Sequence, residues 1–582
     1  MPEQRVIPTQ RSADLVTWKI LIEGEELSST YQVLSIAVEK EINRIPWAKI
    51  VLLDGDPSAQ DFALSNESFF VPGKEIEIKV GYHSDEETVF KGMVIRHNLS
   101  IRSDKAQLVI ECRDKAVKMT IGRKSKYFYE SKDSDILEEI ISAHNLEADV
   151  EATSVDYPEM VQYRVSDWDF MIARAQANSK VCVVDDGKVS VVTPDYSQEE
   201  KLTLVYGATI LHFDAEIDAR NQFGNITSFG WDVANQDVWE REAAALNVQL
   251  NGNISADELA SVIDLEKLEL KDGSGLSDAG LQAWADARNL FNQLSKCRGS
   301  VRFQGIADVK PNTTIALAGV GDRFNGKTYV SAVRHHMTEG NWTVDAQFGV
   351  DSKWFTDKSD INELPASGLL GAVHGLHIGK VTQLQDDPEG EYRVLVRMPL
   401  INNDEQGVWA RVATLDAGNN RGSFFRPEID DEVIIGFLNG SPNDPVILGM
   451  LNSSANPAPL EPEDANNEKG FVTRSEIRFI FNDDDVSVTM ETPNGNKMVI
   501  SDADGGIKLE DENGNLIQMD ANGIKIESAK DLNCKSSANT VIESDVNLEL
   551  SAGAQFKAEG GAGSSLESSA ITEIKGSMVK IN

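Results

Sequence analysis

The chain has 582 residues, enough for three or four domains, each with its own core. Its 94 acidic residues against 55 basic ones give a formal charge of −39, which repels nucleic acid and anionic lipid and excludes wholesale binding to either. Four scattered cysteines without a CxxC pair exclude a disulfide scaffold and a cysteine-rich zinc module.

No apolar run reaches the ~20 residues of a membrane span, and the first fifteen residues lack the basic and apolar regions of a signal peptide. The product is therefore expected to be cytoplasmic as synthesised. Any export would use a route other than general secretion.

In chain order, Val71–Gly73 is a turn feeding a strand at Lys74–Val80, where charged and apolar residues alternate. Phe90–Ile95 and Leu108–Cys112 are expected to continue that sheet. Ile136–Ile141 reads as an amphipathic helix capped by Asp133 or Ser134. A second helix is expected to open within Gln162–Met171, followed by strands at Val181–Val184 and Lys188–Val192. Ala283–Leu294 is another helix. Strands follow at Gly299–Phe303, Thr314–Leu317, Thr328–Arg334 and Trp342–Phe348.

Residues 372–457 read as a compact all-β unit. Its strands are Leu376–Thr382, Tyr392–Met398, Val408–Ala413, Glu432–Phe437 and Pro445–Met450, separated by Gly-, Asn- and Pro-rich turns. Five strands at this spacing match an OB-like barrel. Six bases against twelve acids exclude a nucleic-acid funnel.

Within this unit one run of motifs is specific. Gly379-Lys380-Val381, Tyr392-Arg393-Val394-Leu395-Val396 and Gly407-Val408-Trp409-Ala410-Arg411-Val412 are followed by Gly422-Ser423-Phe424-Phe425-Arg426-Pro427-Glu428. Asp431–Phe437 and Asn439–Gly449 complete it. The run resembles the barrel domain of the VgrG family, the spikes of type VI secretion systems, and their relatives in contractile particles and phage baseplates. One departure is Asp430, where the pattern has glycine. The preceding ~370 residues resemble the hub of the same family in scattered stretches, among them Gln162–Met171. The resemblance implies two tube-forming β domains per chain and a trimer whose hub has pseudo-six-fold symmetry.

Beyond Val486 there is no Trp or Tyr and only one Phe, Phe556, too little for an ordinary core. Apolar or small residues instead recur in i, i+2 pairs. The looser pairs are Val488/Met490, Met498/Ile500, Ile507/Leu509 and Ile517/Met519. From Ile524/Ile526 the pairs repeat every eight residues: Leu532/Cys534, Thr540/Ile542, Leu548/Leu550, Phe556/Ala558, Ser564/Leu566 and Thr572/Ile574. Such pairs put both side chains on one face of a strand. The intervening Asn-Gly and Asp-Gly dipeptides supply the positive φ of tight reversals. Residues 471–523 are read as broader antiparallel strands or wider loops leading into the repeat. Two inward residues per strand cannot close a single-chain core, whereas three intertwined chains can share one. The alternative, a disordered polar tail, does not account for seven consecutive pairs in one register.

Candidate chemistry is sparse. His335 and His336 face opposite ways on a strand, and His374 and His377 sit in a Gly-rich linker. GxSxG, HExxH and P-loop patterns are absent. Asp483–Asp485 and Asp430–Glu432 read as solvated loops. Asp502, Asp504, Asp511 and Asp520 lack the nine-residue calcium-roll signature. No catalytic site, metal or cofactor is expected. Too few residues separate Leu451 from the repeats for an inserted enzyme, and the chain's stop within the repeat argues against a fused effector.

The expected architecture is thus mainly β: a hub with α+β character over 1–370, an OB-like barrel over 371–458, a linker over 459–485 and a trimeric β-helix needle over 486–582. The expected axis residues are Ile524, Ile526, Leu532, Ile542, Leu548, Leu550, Phe556, Leu566 and Ile574. The resemblance implies a homotrimeric spike with an inner-tube protein above the hub, baseplate proteins around it and transient contact with a target membrane. It also implies a small conical PAAR-like tip protein, expected to contact Met578, Val579, Ile581 and Asn582. A phage baseplate hub-spike and a β-helical polysaccharide-degrading enzyme are the alternatives.

Overall fold

Alternation from Lys74 onward is realised as the strand Glu75–Tyr82, which buries Ile76, Ile78 and Val80 on one face. The computed structural model describes residues 15–581 except positions 104, 247, 249, 266, 274, 275, 358, 359, 362 and 363, so the amino-terminal segment read for a leader lies outside the described residues. The described chain is 12% helical and 40% strand, which makes it mainly β as expected.

Glu75–Tyr82 pairs with Val16–Ile22 on one side and Asp85–Ile101 on the other. Ala106–Arg113, Trp47–Leu53 and Val33–Glu41 extend the sheet. Val33–Glu41 then pairs antiparallel with Gly326–Thr338, with Val38 opposite His335. The returning β block therefore joins the first block in one 13-stranded sheet. A single apolar core runs beneath the seam, from Ile20 and Ile50 to Val344 and Phe348.

The helices sit largely where the pattern put them, with one correction. The first spans Asp133–Ala143, and its N-cap is Lys132 rather than Asp133 or Ser134. Asp133 is instead buried. Its carboxylate accepts bonds from Arg174 at 2.7 and 2.8 Å and from Asn178 at 2.8 Å. Asp135 reaches back to the Lys132 N–H at 3.2 Å. The second helix, Asp167–Ala177, is capped by the Ser166 hydroxyl, which accepts the Asp169 N–H at 3.1 Å. Gln162 to Val165 belong to the preceding strand Asp156–Val165, paired with Lys124–Lys132.

A half-buried charge network around the buried Lys40 ties four segments of the hub together. Lys40, on the seam strand, pairs with Asp185 and, at 3.1 Å, with Asp186 in the turn after Val181–Asp185. Lys310 reaches Asp185 at 2.7 Å, and the Lys91 N–H donates to Asp186 at 2.9 Å. Burial alone would raise the Asp185 carboxyl. The attraction of Lys40 and the bond from Lys310 outweigh it and hold the group below the usual carboxylate range. His335 packs beside the network against Trp342. Burial first, then the positive charges of Lys40 and Lys310, push its pKa down to about 3.

The barrel is closed by His377–Gln383, Val394–Arg397, Val408–Val412, Pro445–Met450 and Glu432–Phe437. Val381, Val396, Ala410, Val433, Ile435 and Ile447 fill it. Asp430 takes φ 73°, the left-handed conformation that glycine would supply. Its N–H donates to the Val381 carbonyl at 2.9 Å and its carboxylate pairs with Lys380 at 2.9 Å. The departure from the motif therefore keeps the turn.

Below the barrel, seven strands form one antiparallel meander: Glu468–Val472, Arg478–Asn482, Ser487–Glu491, Lys497–Ser501, Gly506–Glu510, Leu516–Asp520 and Gly523–Glu527. The first two lie within 459–485, the segment expected to be a linker. Phe471, Phe479 and Phe481 give these strands apolar partners across the ladder. Gly495, Gly505, Gly514 and Gly523 supply positive φ in the reversals.

Because His335 is neutral when folded and charges freely when unfolded, the hub loses stability as pH falls from about 6.5 toward 3. The slope is at most about 1.4 kcal/mol per pH unit for this one group. Replacing His335→Phe should leave the hub's melting temperature less sensitive to acidification between pH 7 and 5, as followed by calorimetry. An identical pH profile in both proteins would remove His335 as the cause.

Candidate assembly interface

The meander has two chemically different faces because side chains alternate along each strand. On one face the cross-strand register builds two apolar rows. Phe471, Phe479, Met490, Met498, Leu509, Ile517 and Ile526 form the first. Phe481, Val488, Ile500, Ile507, Met519 and Ile524 form the second. The opposite face turns polar along the row Thr489, Val499, Lys508, Gln518 and Lys525.

Among the described residues nothing covers the apolar face fully. Its exposed members run from 36% accessible at Met498 to 72% at Ile524. A groove of about 930 Å³ lies along it, bounded by Phe479, Met490, Leu509, Ile517 and, where the chain curls back, Leu532. An apolar strip of this continuity marks a contact surface.

From Ser528 to Ile581 the described backbone forms no strand and no backbone–backbone hydrogen bond to its own chain. It is nevertheless regular. Bends fall at 529–530, 537–538, 545–546, 553–554, 561–562 and 569–570, then at 577, every eight residues. The residue before each bend is small: Ser528, Ser536, Ser544, Ala552, Gly560, Ser568 and Gly576. Ser528, Ser536 and Ser544 donate their hydroxyls to the carbonyls of Asp531, Asn539 and Asn547 at 3.2, 3.2 and 2.7 Å. This column of corner residues is a signal that pairing of apolar residues alone misses.

The expected axis residues occupy two settings. Ile524 and Ile526 belong to the last strand of the meander, opposite Met519 and Ile517. Leu532, Ile542, Leu548, Leu550, Phe556, Leu566 and Ile574 lie in the eight-residue array, each more than half exposed. Within one chain they are not brought together. Met578, Val579 and Ile581 are also exposed. Asn582 lies outside the described residues.

Two acids of the ladder, Asp511 and Asp520, organise turns. The side chain and backbone N–H of Asn515 bind the Asp511 carboxylate and, with help from Asn513, hold its pKa at about 2. Asp520 accepts the Asn522 N–H at 2.7 Å. Among the described residues no cluster of three His, Cys, Asp or Glu could hold a metal ion. His335 and His336 are separated by the sheet, one buried and one half-buried. His377 packs edge-on against Phe437.

Comparison with known proteins bears on all three parts of the chain. A family model described as the Alg8 N-terminal domain matches residues 12–339, more than half of the chain. The chain belongs to that family. The type VI secretion system/phage-baseplate injector OB domain matches 377–451, over the closed barrel. The phage baseplate V C-terminal trimerisation domain matches 487–582, over most of the meander and the whole eight-residue array. With these modules, the protein is a spike of the contractile injection class.

Solved structures with similar chains include a tail protein from Neisseria meningitidis MC58, 12% identical, covering 59% of this chain and 99% of that one with a TM-score of 0.43. An E. coli type VI secretion component is 13% identical and covers 74% and 100%, with a TM-score of 0.36. A Francisella PdpA–VgrG complex is 12% identical and covers 88% of each, with a TM-score of 0.36. No curated protein matches the chain.

Leu548 and Leu550 form the i, i+2 pair of one eight-residue unit, a spacing that puts both on one side of an extended chain. If that side faces partner chains, Leu548→Asp would bury several like charges without partners. Loss of the oligomer or of its heat resistance is expected, read by light scattering and thermal melting. An unchanged melting temperature would show that this column does not face a core.

Proposed function

We propose that three copies of the chain assemble as the central spike of a contractile injection particle, joining the inner tube to a piercing tip. The observation that carries the reading is the segment 528–581. A backbone cannot hold a regular bend every eight residues while most of its peptide groups have no backbone partner in their own chain, unless other chains pair them. Two further copies would satisfy the backbone and would cover the exposed columns around Leu548 and Phe556 together with the apolar face of the meander. In this reading the hub sits under the tube, the baseplate surrounds it, and the barrel collars the three chains.

The work is mechanical. Stiffness would come from continuous hydrogen-bond ladders around a shared apolar axis, and sheath contraction would drive the needle through a target envelope. The competing reading of a polysaccharide-degrading β-helix needs paired carboxylates and sugar-stacking aromatics. Asp511 and Asp520 are instead committed to turns. A phage baseplate hub-spike remains the nearest variant of the same function, with the same parts. Synthesis in the cytoplasm and delivery beyond the cell on firing belong to this reading. No helix among the described residues is long and apolar enough to cross a membrane. The net charge of −39 opposes any nucleic-acid partner.

The tip protein is proposed to dock on Met578, Val579 and Ile581, which follow the last regular corner pair and expose apolar side chains. Light scattering of the purified protein is expected to give a trimer, and a monodisperse monomer at micromolar concentration would overturn the assembly. Deleting Met578 to Asn582 should abolish capture of a co-expressed PAAR-like tip protein while sparing the trimer. Retention of the tip by the truncated spike would rule this contact out.

A further inference from the structure

The two β blocks of the hub are built to one plan. In the first block the strands lie in the spatial order Val33–Glu41, Trp47–Leu53, Ala106–Arg113, Asp85–Ile101, Glu75–Tyr82, Val16–Ile22. In the returning block the order is Ile210–Ile217, Cys297–Gln304, Asn341–Phe348, Gly326–Thr338, Thr313–Ala318, Thr203–Val205. Numbered along the chain within each block, with the two-residue strand Glu25–Glu26 set aside, both read 2-3-6-5-4-1. The irregularities match as well. The second strand bulges at Leu34 in one block and at Leu211 in the other, and the fifth at Ile95 and at Ser331. The blocks differ in their last pair, which is antiparallel in the first and parallel in the second.

The seam of the hub joins the second strand of the first block to the fifth strand of the returning block, from Glu41 opposite Ala332 to Ser35 opposite Thr338. The counterpart strands have no such partner. Among the described residues Ile210–Ile217 pairs only with Cys297–Gln304. From Arg96 on, the strand Asp85–Ile101 pairs only with Ala106–Arg113. Both edges leave the core side of the sheet incompletely covered. Phe213 and Ala215 are half-buried at one edge, and Leu99 and Ile101 are 37% and 67% accessible at the other. Open strand edges of this kind invite pairing.

We propose that Ile210–Ile217 of one copy pairs antiparallel with residues 96–101 of a second copy, so that the seam within each chain is repeated between chains. This rests on the trimer reading and names the hub contact within it. The bulges fix the register. With Leu211 standing for Leu34 and Ile95 for Ser331, the pairing of the seam carries over as Phe213 opposite Ile101 and Ala215 opposite Leu99 on the core side. It also sets Asp218 opposite Arg96, an acid against a base. The occupant of each edge is thus the other edge. Within one chain six strands stand between the two, and they do not pair, so the partner strand comes from a second copy. A head-to-tail contact of this kind closes on itself as a ring.

The test uses the full-length protein with Cys534→Ser, which removes the exposed native thiol. Light scattering first establishes the oligomeric state, and a monomer overturns the trimer reading itself. In the proposed register Asp214 lies opposite Ser100, and directly opposed residues hold their Cβ atoms about 4.5–5.5 Å apart, within reach of a disulfide after small adjustment. Given a trimer, Asp214→Cys/Ser100→Cys should oxidise to interchain disulfides, seen as linked dimers and trimers on a non-reducing gel, whereas either single variant should run as single chains. A folded trimer without interchain disulfides overturns the second seam while leaving the trimer standing. If the double variant fails to fold, hydrogen exchange of the wild-type trimer decides. Amides of 212–217 and 96–101 that face the open edges should exchange at least about a hundredfold more slowly than those of an unpaired strand. Unprotected exchange at these edges overturns the proposal.

Discussion

From Ser528 onward the described chain keeps a regularly bent course with no backbone–backbone hydrogen bond to itself, while its apolar columns stand open. Neither condition is stable for an isolated polypeptide, because an unpaired backbone gains nothing for the entropy lost in ordering it. The same deficit continues upstream in another form. The meander satisfies its own backbone but not its apolar face. The needle therefore passes from a region lacking only side-chain partners to one lacking partners of both kinds.

The hub solves a different problem. Its two β blocks share one sheet through the pairing of Val33–Glu41 with Gly326–Thr338. The seam is held by a buried ammonium, Lys40, answered by Asp185 and Asp186 from the α/β insertion. Removing one partner from such a network strands the others in a medium of low polarity. The cost of misplacing the insertion thus enforces its docking on the seam. Neutral His335 tolerates that cationic neighbourhood because it carries no charge of its own there.

How much was legible in the sequence follows from the range of the interactions involved. Glu432–Phe437 and Pro445–Met450 fall on the expected residues because turn-forming Asn, Gly and Pro bracket short apolar runs, all within a few positions. The cap of Asp133–Ala143 was misread because Asp133 answers Arg174, 41 residues away, and local preference carries no information about that partner. The Lys40 network was invisible for the same reason. In the needle, hairpin strands and intertwined strands share the i, i+2 signature, so Ile524 and Ile526 read as the first eight-residue unit although they close the meander. The corner column from Ser528 to Gly576 separates the two regimes, and it was present in the sequence as a run of small residues eight apart.

That column also makes the needle a modular ruler. A unit begins with a small corner residue and carries its apolar pair at fixed offsets. Inserting or removing eight residues returns every later side chain to the same station, whereas a change of four would bring an apolar residue such as Leu548 to a corner now held by serine, alanine or glycine. Length can therefore drift among descendants only in whole units. The reach of the spike is quantised by the period of its corners.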